Sequence, residues 1–181
     1  MILSDYAQTL LDKHSVFVMP AEINHEVFKL VVYVCTLYAD TPLAFHCQGD
    51  GGDTTAGLGI VDIIRHHGQI TGLLAGEANS CSGAIFAGCA VRYVYPHGSV
   101  GVHGCAMNDL TRVDASYART WLRELDKVDI QIAQIFADAS TIPYDDWVTK
   151  IAAQGGAGYT RVHAEDLVAC GMAKPISERP R

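Results

Sequence analysis

The feature that most constrains this chain is its alternation of short β-branched runs with segments of helical spacing, joined at several points by glycine-rich turns. Val16-Phe17-Val18-Met19, Leu43-Ala44-Phe45-His46-Cys47, Ile70 to Ala75, Val91 to Tyr95 and Ser99 to His103 read as strands. Helices are expected from Asp5 to Lys13, from an Asn24 cap to about Tyr38, from about Thr55 to His66, and over a short apolar stretch to about Ala90. Beyond His103 the pattern turns mostly helical: about Asp114 to Ala139, Pro143 to Ala153 with the proline in its first turn, and Ala164 to Cys170. Strands alternating with helices predict an α/β fold with a largely parallel sheet. Chemistry in such folds gathers where strands end and helices begin.

Composition narrows the function classes. With 181 residues, 49% of them apolar, the chain reads as one domain over residues 1–181 with a real core. Its 20 acidic and 13 basic residues give a net charge of −7, with no cationic cluster to meet a phosphate backbone. Nucleic acid is excluded as a partner. No apolar run approaches the ~20 residues of a membrane span, and Met1-Ile2-Leu3-Ser4-Asp5 lacks the pattern of a signal peptide, so no membrane partner and a cytoplasmic location are expected. The six cysteines form no C-x-x-C pair and are read as buried free thiols. His66-His67, His46 and the cysteines lack zinc-site spacing, so no metal or other cofactor is expected.

Two loops, Gly49–Asp53 and Gly76–Gly83, each follow a strand, are rich in small residues and open a helix. Glycine there lets a ligand approach outward-turned main-chain N–H groups. Ser80 stands at the second strand-to-helix turn, where the N–H of its neighbour meets the helix N-terminus and can stabilise an oxyanion. A serine needs a base to act as a nucleophile, and His103 ends the second strand that follows. Cys81 is read as a small residue packed in the turn rather than a nucleophile of its own.

Gly76-x-Ala78-x-Ser80, then Pro96 and Ser99-Val100-Gly101-Val102-His103, resembles the proteolytic subunit of Clp protease (ClpP), including its phage-encoded relatives. Gln48-Gly49-Asp50-Gly51-Gly52-Asp53-Thr54-Thr55-Ala56-Gly57 is similar to the family's glycine-rich loop upstream of the serine, and Ala164-Glu165-Asp166-Leu167 to Gly171 to its C-terminal segment. The resemblance covers nearly the whole chain, less an N-terminal axial loop. It implies a ClpP/crotonase-like spiral of strand-strand-helix units with a long handle-type helix. It also implies a serine endopeptidase with Ser80 as nucleophile, His103 as general base, and the N–H groups of Gly51 and Cys81 as oxyanion hole.

Implied partners are a peptide or unfolded protein substrate, an AAA+ ATPase unfoldase, and further copies of the chain in a heptameric ring or stacked heptamers. The resemblance implies that the long helix carrying Trp121, Leu122, Leu125, Val128, Ile132, Ile135 and Phe136 is the family's ring-stacking handle, while the same apolar stripe read by itself fits equally well a helix packed on its own sheet.

Three departures stand out. The family places a catalytic aspartate shortly before the C-terminal helix, but no carboxylate occurs between Asp146 and Glu165. Gln154, Asp109 and Asp114 are the candidates for orienting His103 instead. Gly104-Cys105-Ala106-Met107-Asn108 replaces the family's Gln-Pro and Gly-Gly segment, which leaves strand-addition binding of a peptide possible but carries over no specificity. Asp50 replaces a proline and brings a negative charge toward the proposed oxyanion hole. Two alternatives remain: a non-catalytic ring subunit, and a crotonase-type acyl-CoA enzyme, whose fold shares both oxyanion-hole loops.

Overall fold

The computed structural model describes residues 4–105, 114–153 and 158–176. Its first half repeats one unit, strand-strand-helix. After helix α1 (Asp5–His14) come β1 (Val16–Val18), β2 (Glu22–Ile23) and α2 (His25–Leu37). Then follow β3 (Leu43–His46), β4 (Gly51–Gly52) and α3 (Thr54–His67), and after these β5 (Ile70–Leu74), β6 (Glu77–Asn79) and α4 (Cys81–Gly88). The fourth repeat is β7 (Val91–Val94), β8 (Ser99–Val102) and the long α5 (Ala115–Asp138). The chain closes with α6 (Tyr144–Ala152), β9 (Thr160–His163), α7 (Ala164–Ala169) and β10 (Lys174–Pro175).

The first strand of each repeat enters one five-stranded sheet, ordered β1-β3-β5-β7-β10 and parallel throughout. The second strands form a separate layer. β2 pairs with β4, and β6 with β8, both in parallel, while β9 closes the edge antiparallel to β8. A bridge between Gly49 and Ala78 joins the two halves of this layer: Gly49 N–H donates to the Glu77 carbonyl at 2.8 Å, and Asn79 N–H donates to the Gly49 carbonyl at 2.9 Å. The two glycine-rich loops are thereby strapped side by side.

Local chemistry explains the helix starts. Ser4 Oγ accepts from Ala7 N–H, the Asn24 side chain from Glu26 and Val27, and Asp53 from Ala56. Each such cap is worth about 1 kcal/mol. The alternating burial of β3 and β5 places Leu43, Phe45, Ile70 and Leu74 in a core shared with Val27, Val31, Val34, Ile60 and Ile64. Trp147 of α6 is fully buried, stacked on Phe136 at 4.8 Å, with its indole N–H donating to Ser140 Oγ at 3.0 Å. All six cysteines are free thiols, and all but Cys105 are buried.

Several expectations shift at this level. β2, β4, β6, β9 and β10, of two to four residues, were not expected as strands, since segments so short carry too little of a two-residue period to be legible. Pro143 is the N-cap of α6 rather than part of its first turn. The apolar stripe of α5 also divides. Ile132, Ile135 and Phe136 are buried in the core, whereas Trp121 and Leu122 are exposed.

Candidate active site

Ser80 follows β6 and His103 follows β8. Those strands pair in parallel with Asn79 opposite Gly101, and Ser80 N–H donates to the Gly101 carbonyl at 2.7 Å. The serine and the histidine therefore leave the same end of one sheet from neighbouring strands. Both are half-buried.

The backbone of Ser80 has φ 55° and ψ −130°, a conformation that ordinary L-residues avoid and that costs on the order of 1–3 kcal/mol. Ser80 occupies the N-cap of α4, where a serine normally turns its hydroxyl onto the helix. Here the hydroxyl makes no capping bond. Instead the turn is tied through the main chain, with Gly83 and Ala84 N–H donating to the Ser80 carbonyl at 3.0 and 3.3 Å. Such a strained strand-to-helix turn presents a hydroxyl away from the sheet, as nucleophile elbows do.

Gly51 lies directly against this serine. It has φ +94°, and a Cβ built on it would stand 2.6 Å from Ser80 Cβ and 3.2 Å from Ser80 Oγ. Only glycine lets the first loop approach the second so closely. Cys81 opens α4, at the positive end of the helix dipole, so its main-chain N–H belongs to the group that lacks intrahelical acceptors. Its thiol is buried, which pushes its pKa up to about 12 and makes it a poor nucleophile, as expected of a packed small residue. Asp50 is exposed, with its N–H donating to the Ala21 carbonyl at 3.0 Å.

The candidates for orienting His103 fall differently. Gln154 and Asp109 lie outside the described residues. Asp114, weighed as an orienter of His103, is the N-cap of α5: its Oδ1 accepts from Ser116 N–H, Ser116 Oγ and Tyr117 N–H, each at 2.8 Å. Those bonds, the Tyr117 N–H first, hold its pKa below the usual carboxylate range. Its two acceptor bonds to helix N–H groups are the ordinary satisfaction of a helix start. Among the described residues, no hydrogen bond or ion pair reaches the His103 imidazole. Its ring meets Tyr159, with centroids 4.9 Å apart and planes at 87°.

Residues not singled out from the sequence complete the surroundings. Asp129 of α5 accepts Cys105 N–H on Oδ1 at 2.9 Å, and its Oδ2 would stand 3.4 Å from a Cβ built on Gly104. A groove of about 350 Å³ between α5 and α6 opens beside it, lined by Asp126, Ile130, Val148 and Ile151 among others. Burial, with the Asp129 charge second, pushes the Cys105 thiol up to about 12. Arg161 Nη1 pairs with Glu77 at 2.8 Å and, ahead of the Asn79 amide, draws that carboxyl below its ordinary value. Asn79 Oδ1 and Ser82 Oγ are buried without a partner among the described residues. The sequence did hold one signal for Asp129: it is a charge between Val128 and Ile132 on the face that packs inward.

Fold and site together define an α/β protein of stacked strand-strand-helix units, with a serine on the strained turn of one glycine-rich loop and the other loop packed against it. The family model for Clp protease matches residues 2–177, and the chain belongs to the Clp protease family. No curated protein matches it significantly. Membership makes the chain a ClpP-like peptidase in general terms, of a family that acts on peptides and assembles as oligomeric rings. Among the described residues, no helix is long and apolar enough to cross a membrane.

Proposed function

We propose that this chain is a serine endopeptidase acting through Ser80 and His103. Ser80 Oγ attacks a peptide carbonyl while His103 takes its proton, and the N–H groups of Gly51 and Cys81 hold the tetrahedral oxyanion. His103 then protonates the leaving amine, and water resolves the acyl-enzyme. The observation that carries this reading is the conformation of Ser80: the residue is held at φ 55° with its hydroxyl withheld from capping, a strained arrangement of the kind that clusters at active sites.

The site is expected to work inside a ring. Tyr117, Trp121 and Leu122 leave an apolar face exposed on the first half of α5, and a second copy of this chain is the natural cover for it. An ATPase unfoldase feeding the ring, and a cytoplasmic setting, complete the proposal. The second reading is a non-catalytic ring subunit, favoured by the lack of any carboxylate on the His103 imidazole among the described residues.

Intact mass after fluorophosphonate treatment separates the two. The peptidase reading expects one adduct on the wild type, lost in Ser80→Ala and slowed strongly in His103→Ala. Unmodified masses throughout, with a large particle in native mass measurement, select the structural subunit. A monomer at all concentrations overturns the ring.

A further inference from the structure

We infer that Tyr159 is a positioning residue for His103, its ring doing the orienting that a carboxylate does in a three-residue site. The inference rests on the Ser80–His103 reading above. β9 runs antiparallel to β8 with Val102 opposite Thr160 and Gly101 opposite Arg161, so continuing the register by one residue sets Tyr159 across from His103. Cross-strand neighbours of this kind interact directly, and the two rings meet edge to face at 4.9 Å.

Tyr159 is itself held from behind. Residues two apart share a strand face, and the Arg161 guanidinium lies 5.9 Å from the Tyr159 ring centroid. Arg161 in turn pairs with Glu77 at 2.8 Å. Glu77 opens β6, the strand that delivers Ser80. His103, Tyr159, Arg161 and Glu77 thus form a chain of contacts from the histidine strand to the serine strand. Gly101 makes room for it: a Cβ there would stand 3.3 Å from Tyr159 Cβ and 2.3 Å from Asn79 Oδ1.

A base must present one ring nitrogen to the serine hydroxyl. An edge-to-face partner limits rotation of the imidazole without offering a proton acceptor or a counter-charge. Orientation is supplied, while the tautomer and the imidazolium gain no electrostatic support. Such a site works, more slowly than one with a buried carboxylate.

The test compares wild type, Tyr159→Phe and Tyr159→Leu by the rate of fluorophosphonate adduct formation on Ser80 and by the NMR signals of the His103 ring. Tyr159→Phe is expected to keep the rate within about twofold and to keep the ring-current shift of His103. Tyr159→Leu is expected to slow labelling on the order of 3- to 10-fold, with that shift lost and the circular dichroism spectrum retained. A folded Tyr159→Leu that labels at the wild-type rate overturns the inference, as does a Tyr159→Phe that falls as far as Tyr159→Leu. Should Tyr159→Leu fail to fold, Arg161→Gln decides the matter, because it frees the far side of the Tyr159 ring and must move the His103 signals. If wild type forms no adduct, the peptidase reading fails, and the NMR arm judges Tyr159 alone: unmoved His103 signals in the variants overturn its role.

Discussion

The carboxylate of Asp129, on the long helix α5, accepts the main-chain N–H of Cys105, two residues past His103, at 2.9 Å. This bond ties the strand end that carries the histidine to the long helix that follows it. Asp129→Ala leaves a half-buried N–H without its acceptor, at a cost of roughly 1–3 kcal/mol. Urea unfolding is expected to report that loss, and fluorophosphonate labelling to slow with it. Asp129→Asn retains an oxygen acceptor and should lose less of both.

Gly51 lies against the Ser80 side chain from the other glycine-rich loop. In Gly51→Ala the new Cβ meets Ser80 Cβ at 2.6 Å while the residue keeps a φ of +94°. Strain of this kind costs about 1–3 kcal/mol. Labelling of Ser80 is expected to be lost in a protein that still folds, and labelling at the wild-type rate would remove Gly51 from the proposed oxyanion hole.

Arg92 stands half-buried with its guanidinium donating to the carbonyls of Ala87, Cys89, Ala139 and Met172. One side chain thus ties the end of α4 to the turn after α5 and to the turn before β10. Arg92→Leu should lower unfolding free energy by about 2–3 kcal/mol, read from urea midpoints. Arg92→Lys recovers only part, because an ammonium lacks the fork that reaches separate acceptors at once.

The buried thiols make stability depend on alkaline pH. Burial pushes Cys35 up to about 11 and Cys81 up to about 12 from an ordinary value of 9.0. Cys105 likewise rises to about 12. Above pH 9 the unfolded chain releases protons that the folded chain still holds, so unfolding gains. Stability should be unaffected by these groups below the ordinary thiol value and fall from there toward pH 12. Urea midpoints measured from pH 7.5 to 10.5 check the sign, and Cys81→Ala should flatten the slope. The same burial predicts slow alkylation of Cys81 at pH 8 until the protein is unfolded.

How far the sequence reached differs between fold and site. The helices over Asn24 to Tyr38 and Asp114 to Ala139 were legible because a cap and a long apolar periodicity coincide there. The five strands that feed the main sheet were partly so, since Val16–Val18, Leu43–His46, Ile70–Leu74 and Val91–Val94 carry the β-branched and apolar signal, and Lys174–Pro175 does not. The second layer was mostly hidden. Gly51-Gly52 has no side chains to alternate, and Glu77-Ala78-Asn79 is three polar or small residues whose pairing comes from partners far along the chain. Asp114 shows the same limit: its nearness to His103 in sequence does not reveal that its carboxylate caps a helix, accepting from Ser116 and Tyr117 N–H.

By itself, the order of residues determined the α/β class, the two glycine-rich loops and the serine and histidine worth attention, because local propensity and motif spacing are properties of neighbours along the chain. Only the tertiary structure decided what surrounds them: the strained turn of Ser80, Gly51 pressed against its side chain, Asp129 on the Cys105 amide and Tyr159 on the imidazole. Those contacts join residues dozens of positions apart. Which groups meet there depends on strand register and helix packing, and these are settled by burying the core as a whole rather than by any short stretch of it.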